Sequence, residues 1–239
     1  NVPTYLLQKY KGECPSYVKN EMYPQNYAYK YPKAGEPNSI VSLHVYNLEK
    51  KSTTTLDLGK ETDVYIPRIC FTKDPQILAV FHLNRHQNCF TIFSANINTN
   101  EINIMYRERN KYYIDFKSFK QLQFLENGIN FVLQSEETEY NHIYLVDMVK
   151  DNKNDDEEFF HKLKKPITSG NYDVLDFIGY DEKRKLYYYS SFEDSTIELY
   201  IYCIDEKGHK MKITTKKGWN TVKHSQNYNY FAVSNSSSD

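Results

Sequence analysis

The sequence is short of net charge: 30 Lys and Arg stand against 31 Asp and Glu in 239 residues, a formal net charge of -1. So balanced a surface has no basic field for nucleic acid or an anionic bilayer, and neither is expected as a partner. No apolar run approaches the ~20 residues that a membrane-spanning helix needs. Glycine and proline are few, at eight each. Cysteine is confined to Cys14, Cys70, Cys89 and Cys203, without any C-x-x-C spacing, which removes a zinc ribbon or a paired redox motif. Cys70, Cys89 and Cys203 sit inside apolar strand patterns, where a free thiol behaves as a small buried hydrophobe, so unpaired cysteines are expected. No segment sustains the 3-4 apolar period of a helix over a useful length.

What is present in excess is aromatic: 23 Tyr and 13 Phe against a single Trp, or 15% of the chain. Tyrosine alternating with polar residues points to antiparallel sheet. A four-strand pattern recurs along the chain. One copy uses Arg68–Phe71, Ile77–Phe81, Phe90–Phe93 and Ile102–Tyr106. A second uses Leu122–Phe124, Ile129–Val132, Ile143–Val146 and the region from His161 to Ile167. A third uses Val174–Ile178, Leu186–Tyr189, Leu199–Tyr202 and Met211–Ile213. The second strands begin at Ile77, Ile129 and Leu186, a period of roughly fifty residues, as in a β-propeller with large blades. Val41–Tyr46 with Thr54–Leu58, and Val222–His224 with Tyr228–Val233, read as parts of further blades. The turns agree: Asn127-Gly128 is a hairpin signal, Asp205–Gly208 plays the same part, and Asp181–Arg184 joins two strands by charge alone. The fold class is therefore all-β, a partial propeller of about four to five four-stranded antiparallel blades. The serine-rich end from Ser234 to Asp239 reads as a linker or boundary.

Tyr31-Pro32-Lys33-Ala34-Gly35-Glu36-Pro37-Asn38 carries a further message. The prolines fix φ and extend the residues before them, Gly35 permits a sharp turn, and the segment leads into a strand from Ile40 to Tyr46. Its wording resembles the YPKAG segment in the non-catalytic domain of dipeptidyl peptidase IV-type serine peptidases. Tyr140–Asp147, and Phe124–Gly128 ahead of Ser135-Glu136-Glu137, resemble the same family, and the similarity runs from about Val2 to Ser236. In that family an eight-bladed propeller sits over an α/β-hydrolase domain carrying Ser, Asp and His. The resemblance implies that residues 1–239 are the second half of such a propeller within a longer polypeptide. The hydrolase domain would lie in the same chain, with peptides bearing a penultimate Pro or Ala as substrates and a periplasmic or extracellular location. Residues 1–38, with the Tyr- and Lys-rich stretch from Tyr5 to Tyr31, match the family's protruding arm, which contributes to homodimers.

The chain has no Gly-x-Ser-x-Gly, and Ser169 before Gly170 lacks the flanking pattern of a nucleophile elbow, so no catalytic residue is expected here. The family's paired glutamates that hold the substrate amino terminus fall upstream of Asn1. Glu136-Glu137 and Glu157-Glu158 lie in other blades and read as solvated turn residues. The resemblance leaves one substrate contact, Phe116 and Lys117, in place of a family Phe-Arg pair. Lysine there lacks the planar fork of arginine. No cofactor and no metal is expected. His82 and His86 straddle a strand end and a turn and need not converge. Asp151–Glu158 lacks the Gly and the bidentate Glu of a calcium loop, with Lys162 at the latter place. Trp219 reads as a packing residue, and Asn235-Ser236-Ser237 fits a glycosylation acceptor. Two other readings share this fold: a tripeptide-releasing relative, and a propeller used only for protein binding.

Overall fold

The computed structural model describes residues 2–9, 23–115, 121–148 and 163–237, and among them there are strands and turns but no α-helix. The chain forms two compact units, Asn1–Ser42 with Lys60–Val64, and Leu43–Gly59 with Tyr65–Asp239. In the first, β1 (Thr4–Lys9) pairs antiparallel with β2 (Gln25–Lys30), Thr4 opposite Lys30 and Lys9 opposite Gln25. Tyr5 meets Tyr29 edge-on at 5.8 Å between ring centroids, and the Lys33 ammonium lies 4.4 Å from the Tyr5 centroid. The proline-flanked motif closes as a turn: Glu36 N–H donates to the Lys33 carbonyl at 3.1 Å, and Gly35 takes the positive φ of 83° that the third position requires. The strand after it begins later than the sequence suggests. Ile40 and Val41 are exposed, and the next strand starts only at Leu43.

The second unit is a succession of antiparallel sheets. A hairpin of β3 (Leu43–Asn47) and β4 (Ser52–Leu56) comes first. Three four-stranded sheets follow, each with its strands in chain order. They are β5 (Val64–Phe71), β6 (Ile77–Asn84), β7 (Cys89–Asn96) and β8 (Ile102–Arg109); β9 (Gln123–Phe124), β10 (Asn130–Ser135), β11 (His142–Asp147) and β12 (Lys164–Pro166); and β13 (Val174–Asp181), β14 (Leu186–Ser191), β15 (Tyr200–Asp205) and β16 (Lys210–Lys212). A hairpin of β17 (Trp219–His224) and β18 (Phe231–Ser236) closes the order. The sheets are those of the expected repeat and are consistent with propeller blades. One expectation fails: Ser234, Asn235 and Ser236 are no linker but pair in β18 with Thr221, Asn220 and Trp219. Another needs refinement, because the Asp181–Arg184 turn does not rest on charge alone. The Asp181 carboxylate accepts the main-chain N–H groups of Lys183 and Arg184 at 3.0 and 3.1 Å, which steadies Lys185 at a φ of 58°.

Continuous apolar runs make sense once both faces of the middle strands are covered. In β6, Leu78 and Val80 pack toward Leu43, Val45 and Leu56, whereas Ala79, Phe81 and Leu83 pack toward Phe124, Phe131 and Leu133. In β10, Phe131 and Leu133 face that cluster, while Val132 joins Phe177, Tyr187 and Tyr189 on the other side. The period-2 alternation of a strand thus supplies two neighbouring cores at once. Cys70, Cys89 and Cys203 are free thiols, and Cys203 is buried in β15.

Stacked sheets leave the first strand of each with an uncovered main-chain edge, and two glutamines meet that need at β13. Gln123 donates to the Tyr180 carbonyl at 3.0 Å and accepts the Tyr180 N–H at 2.8 Å. Gln134 accepts the Phe177 N–H at 2.9 Å and donates to the Val174 carbonyl at 3.1 Å. Each carboxamide presents a donor and an acceptor, as a peptide group would. Asn141 adds a second bond to Val174 O at 2.8 Å, and the Glu182 carboxylate takes the Glu126 N–H with both oxygens. Because Phe177 and Val174 are buried, Gln134→Ala strands a donor and weakens an acceptor away from water. It should destabilise by roughly 2–4 kcal/mol, on the scale of ~1–3 kcal/mol per buried unsatisfied group. Urea unfolding followed by Trp219 fluorescence measures this, and an unchanged midpoint would disprove the role given to Gln134.

Candidate functional site

At one end of the sheets, the residues that leave β10 and β14 repeat a small polar device. The Ser135 hydroxyl accepts the Glu137 N–H at 3.2 Å, and the Ser191 hydroxyl accepts the Glu193 N–H at 3.2 Å. Each glutamate then pairs with a lysine of its own sheet's fourth strand, Lys164 with Glu137 and Lys210 with Glu193, both at 2.5 Å. Tyrosine rings flank the ammonium groups: Lys164 lies 5.2 and 5.7 Å from the Tyr106 and Tyr144 centroids, and Lys210 5.7 and 6.0 Å from Tyr172 and Tyr202. Glu137 is therefore more than the solvated turn residue that its place in a Glu-Glu pair suggests. The recurring Ser-x-Glu, at Ser135 and again at Ser191, is the signal in the sequence that gives it away.

Lys164 also reaches across to the preceding sheet. Its ammonium is 3.0 Å from Glu108 Oε2, and both side chains are almost fully buried, at 4% and 6% exposed. Glu108 receives two further bonds, from the Tyr106 hydroxyl at 2.6 Å and the Ser135 hydroxyl at 2.9 Å. Burial, and then the charge of Glu108, holds the Tyr106 phenol well above its ordinary range. One buried lysine thus binds two carboxylates from different sheets, and Glu108 is bonded by the Lys164 ammonium and two hydroxyls.

Beside this network runs an acidic rim. Ile114 is buried and its N–H donates to the Gln87 carbonyl at 2.8 Å, which anchors the segment Tyr113–Asp115. Phe116 and Lys117 follow it directly, but they lie outside the described residues. Glu136 faces Asp115, Asp173 and Glu108, and its carboxyl is raised from the usual value, first by burial and then by those three charges. The rim can attract a cation, and it holds one carboxyl that gains a proton readily. Asp151–Glu158, the segment with a superficial likeness to a calcium loop, also falls outside the described residues.

Among the described residues of this neighbourhood, His142 is tied to a main-chain carbonyl and a hydroxyl. The buried His142 sets Nε2 on the Gly170 carbonyl at 3.0 Å, an acceptor, so that nitrogen carries the hydrogen. Nδ1 is then free to accept from the Thr168 hydroxyl at 3.1 Å. Thr168 Oγ1 itself accepts the Ile143 N–H at 3.0 Å. The group is a connector between β11 and the loop after β12. His82 packs edge-on to Phe93 at 5.4 Å. No group of three or more His, Cys, Asp or Glu suited to a metal occurs among the described residues. Trp219 is half exposed and edge-on to Phe192, and the Asn235 amide is engaged by Lys217 O and Asn220 Oδ1 at 2.9 and 3.1 Å.

Comparison with known proteins is consistent over the whole length. Residues 1–239 match the family described as Dipeptidyl peptidase IV (DPP IV) N-terminal region. The crystal structure of Porphyromonas gingivalis dipeptidyl peptidase 4 superposes with a TM-score of 0.81 at 36% identity, over 97% of this chain and 30% of that one. Inactive dipeptidyl peptidase 10 of Mus musculus is 26% identical over 216 residues, 87% of this chain and 25% of the mouse protein. A probable dipeptidyl-aminopeptidase B of Neurospora crassa is 25% identical over 248 residues, 98% of this chain and 26% of the fungal protein. The chain therefore spans about a quarter to a third of the length of these relatives.

Two outcomes follow from the electrostatics. Lys164→Met leaves Glu108 buried with its countercharge gone and should destabilise by about 3–5 kcal/mol, the usual cost of breaking a buried pair from one side. Adding Glu108→Gln should recover part of that loss, and strict additivity of the two would refute the coupling. Acid acts elsewhere. The Lys212 ammonium holds Asp194 low, His209 holds Asp205 low, and the Tyr180 hydroxyl and Lys185 hold Glu206 low. Burial pushes Asp181 up, but its bonds from Arg184 and Lys183 outweigh that and leave it low. Carboxyls depressed in the folded state contribute stability above their unfolded values near about 4, and lose it as pH falls through the folded ones. Glu136, raised, works in the opposite sense. The urea midpoint should therefore fall between about pH 5 and pH 3, and Glu136→Gln should raise it at neutral pH more than in acid.

Proposed function

The chain belongs to the dipeptidyl peptidase IV N-terminal region family, and on that premise we propose that it is the second half of the propeller of a serine-type dipeptidyl peptidase. In that reading the propeller gates access to a hydrolase domain carried by the same polypeptide and supports its substrate pocket. The catalytic domain would release dipeptides after Pro or Ala by acyl transfer from an activated serine. The full-length family match, joined to the 36% identity with the Porphyromonas gingivalis enzyme, is the observation that carries it. Phe116 and Lys117 would line the pocket beyond the scissile bond, in place of the family's Phe-Arg pair. The β1–β2 hairpin, with exposed Leu6, Leu7, Tyr27 and Tyr31, would serve a homodimer, since a lone two-stranded hairpin is marginal in water. A periplasmic or extracellular site of action goes with this reading. Release of tripeptides by the same architecture is its near variant.

A second reading has its own support. The mouse relative is an inactive dipeptidyl peptidase, so a member of this family need not cleave anything. Here the propeller would serve protein binding alone.

The natural polypeptide containing residues 1–239 should hydrolyse Gly-Pro-linked chromogenic amides, and residues 1–239 alone should not. Lys117→Ala in the longer protein should raise KM more than it lowers kcat, as loss of a binding contact does. A longer protein without turnover would favour the binding reading, and turnover by the isolated chain would sink both.

A further inference from the structure

A cleft of the second unit lies away from the acidic rim, between the first strands of successive sheets. It has a volume of about 590 Å³ and is lined by Gln121 and Gln123 beside β9, by Asp176 to Gly179 of β13, and by Asn220 to His224 of β17. That size falls within the ~300–1,000 Å³ of ordinary ligand pockets. Its floor is apolar, from Phe177, Leu199, Ile201 and Val222. The β13 ladder skips Ile178 there, a bulge that interrupts regular pairing at the cleft wall.

The polar groups of the cleft fall into two kinds. On the β13 side stand acceptors. Asp176 accepts a bond from Gln121 Nε2 at 3.0 Å through one carboxylate oxygen only, and Gln121 Oε1 is buried without a hydrogen-bond partner. Two acceptors held together by that amide bond suit a donor with several hydrogens and a positive charge, namely an ammonium group. On the β17 side stands Lys223, exposed and in no ion pair among the described residues, which suits a single carboxylate. Beside Asp176, the lining Ser190 hydroxyl accepts the Asp176 N–H at 3.1 Å and keeps its own hydrogen for a carbonyl.

We propose that this cleft binds a short linear peptide with both termini free, its ammonium on Asp176 and Gln121, its carboxylate on Lys223 and its side chains on the apolar floor. Other ligand classes fit less well. A nucleotide would ask for several cations or a cradle of main-chain N–H groups, and one lysine answers that poorly. A sugar would ask for an exposed aromatic platform, whereas the floor's ring, Phe177, is buried in the core. The assignment rests on the cleft alone and holds whether or not the longer protein is a peptidase.

Calorimetric titration of residues 1–239 with the tripeptide Ala-Leu-Ala tests it without any turnover. One saturable site is expected. N-acetylation of the peptide and Asp176→Asn should each weaken binding by about tenfold, the worth of one charged hydrogen bond, and should not compound. C-terminal amidation and Lys223→Met should behave likewise as a second pair. The capped peptides leave the protein unaltered, so a misfolded variant cannot decide the matter. Absence of saturable binding at millimolar peptide would overturn the proposal. So would capped peptides that bind as well as the free one, or tighter binding by ADP or cellotriose.

Discussion

A sheet stacked against another must find partners for the main chain of its first strand, and in this protein the neighbour's side chains provide them. The carboxamides of Gln123 and Gln134 each meet one N–H and one C=O of β13. This settles more than hydrogen bonding. Gln134 lies on the same strand as Phe131 and Leu133, on the opposite face, so the bond that closes one interface fixes the register of the strand that fills the other. Packing alone leaves some freedom to slide, since apolar side chains can repack with small loss. Directional bonds to a buried main chain do not. The order of the sheets in the second unit rests on that combination.

The seam between the preceding pair of sheets works by charge instead. Glu108 and Lys164 meet with almost no exposure, under tyrosine rings and with two hydroxyls completing the carboxylate. A buried pair of this kind contributes little net stability against an apolar alternative, but it punishes any misplacement of one partner. Amide seam and charged seam thus share a property. Both define one arrangement more than they deepen it.

Much of the strand pattern was legible beforehand because alternation and length separate strand from helix without ambiguity. Ile77–Phe81 reads as an uninterrupted apolar run, and the structure supplies the reason, a core on each face. The boundaries were less visible. Ile40 and Val41 look like strand and lie exposed, while the serine-rich 234–236 looks like linker and pairs in β18, because ladder bonds ignore side-chain polarity. Polar roles were the least legible. A glutamine that mimics a peptide group cannot be told from a surface glutamine by its neighbours, and Glu137 was hidden by its adjacency to Glu136. Only the repetition of Ser-x-Glu in consecutive sheets carried that information. The sequence-identified pair Phe116 and Lys117 came from likeness to a family motif, and no pattern of charge or period singled it out.

A glutamine that grips a neighbour's backbone does not read the identity of the residues it holds. Phe177, Val174 and Tyr180 are bonded through N–H and C=O groups that any residue but proline could present. Sequence drift on one sheet therefore need not be answered by a compensating change on the next, provided that shape and the amide are kept. Such a joint lets neighbouring sheets diverge on independent schedules.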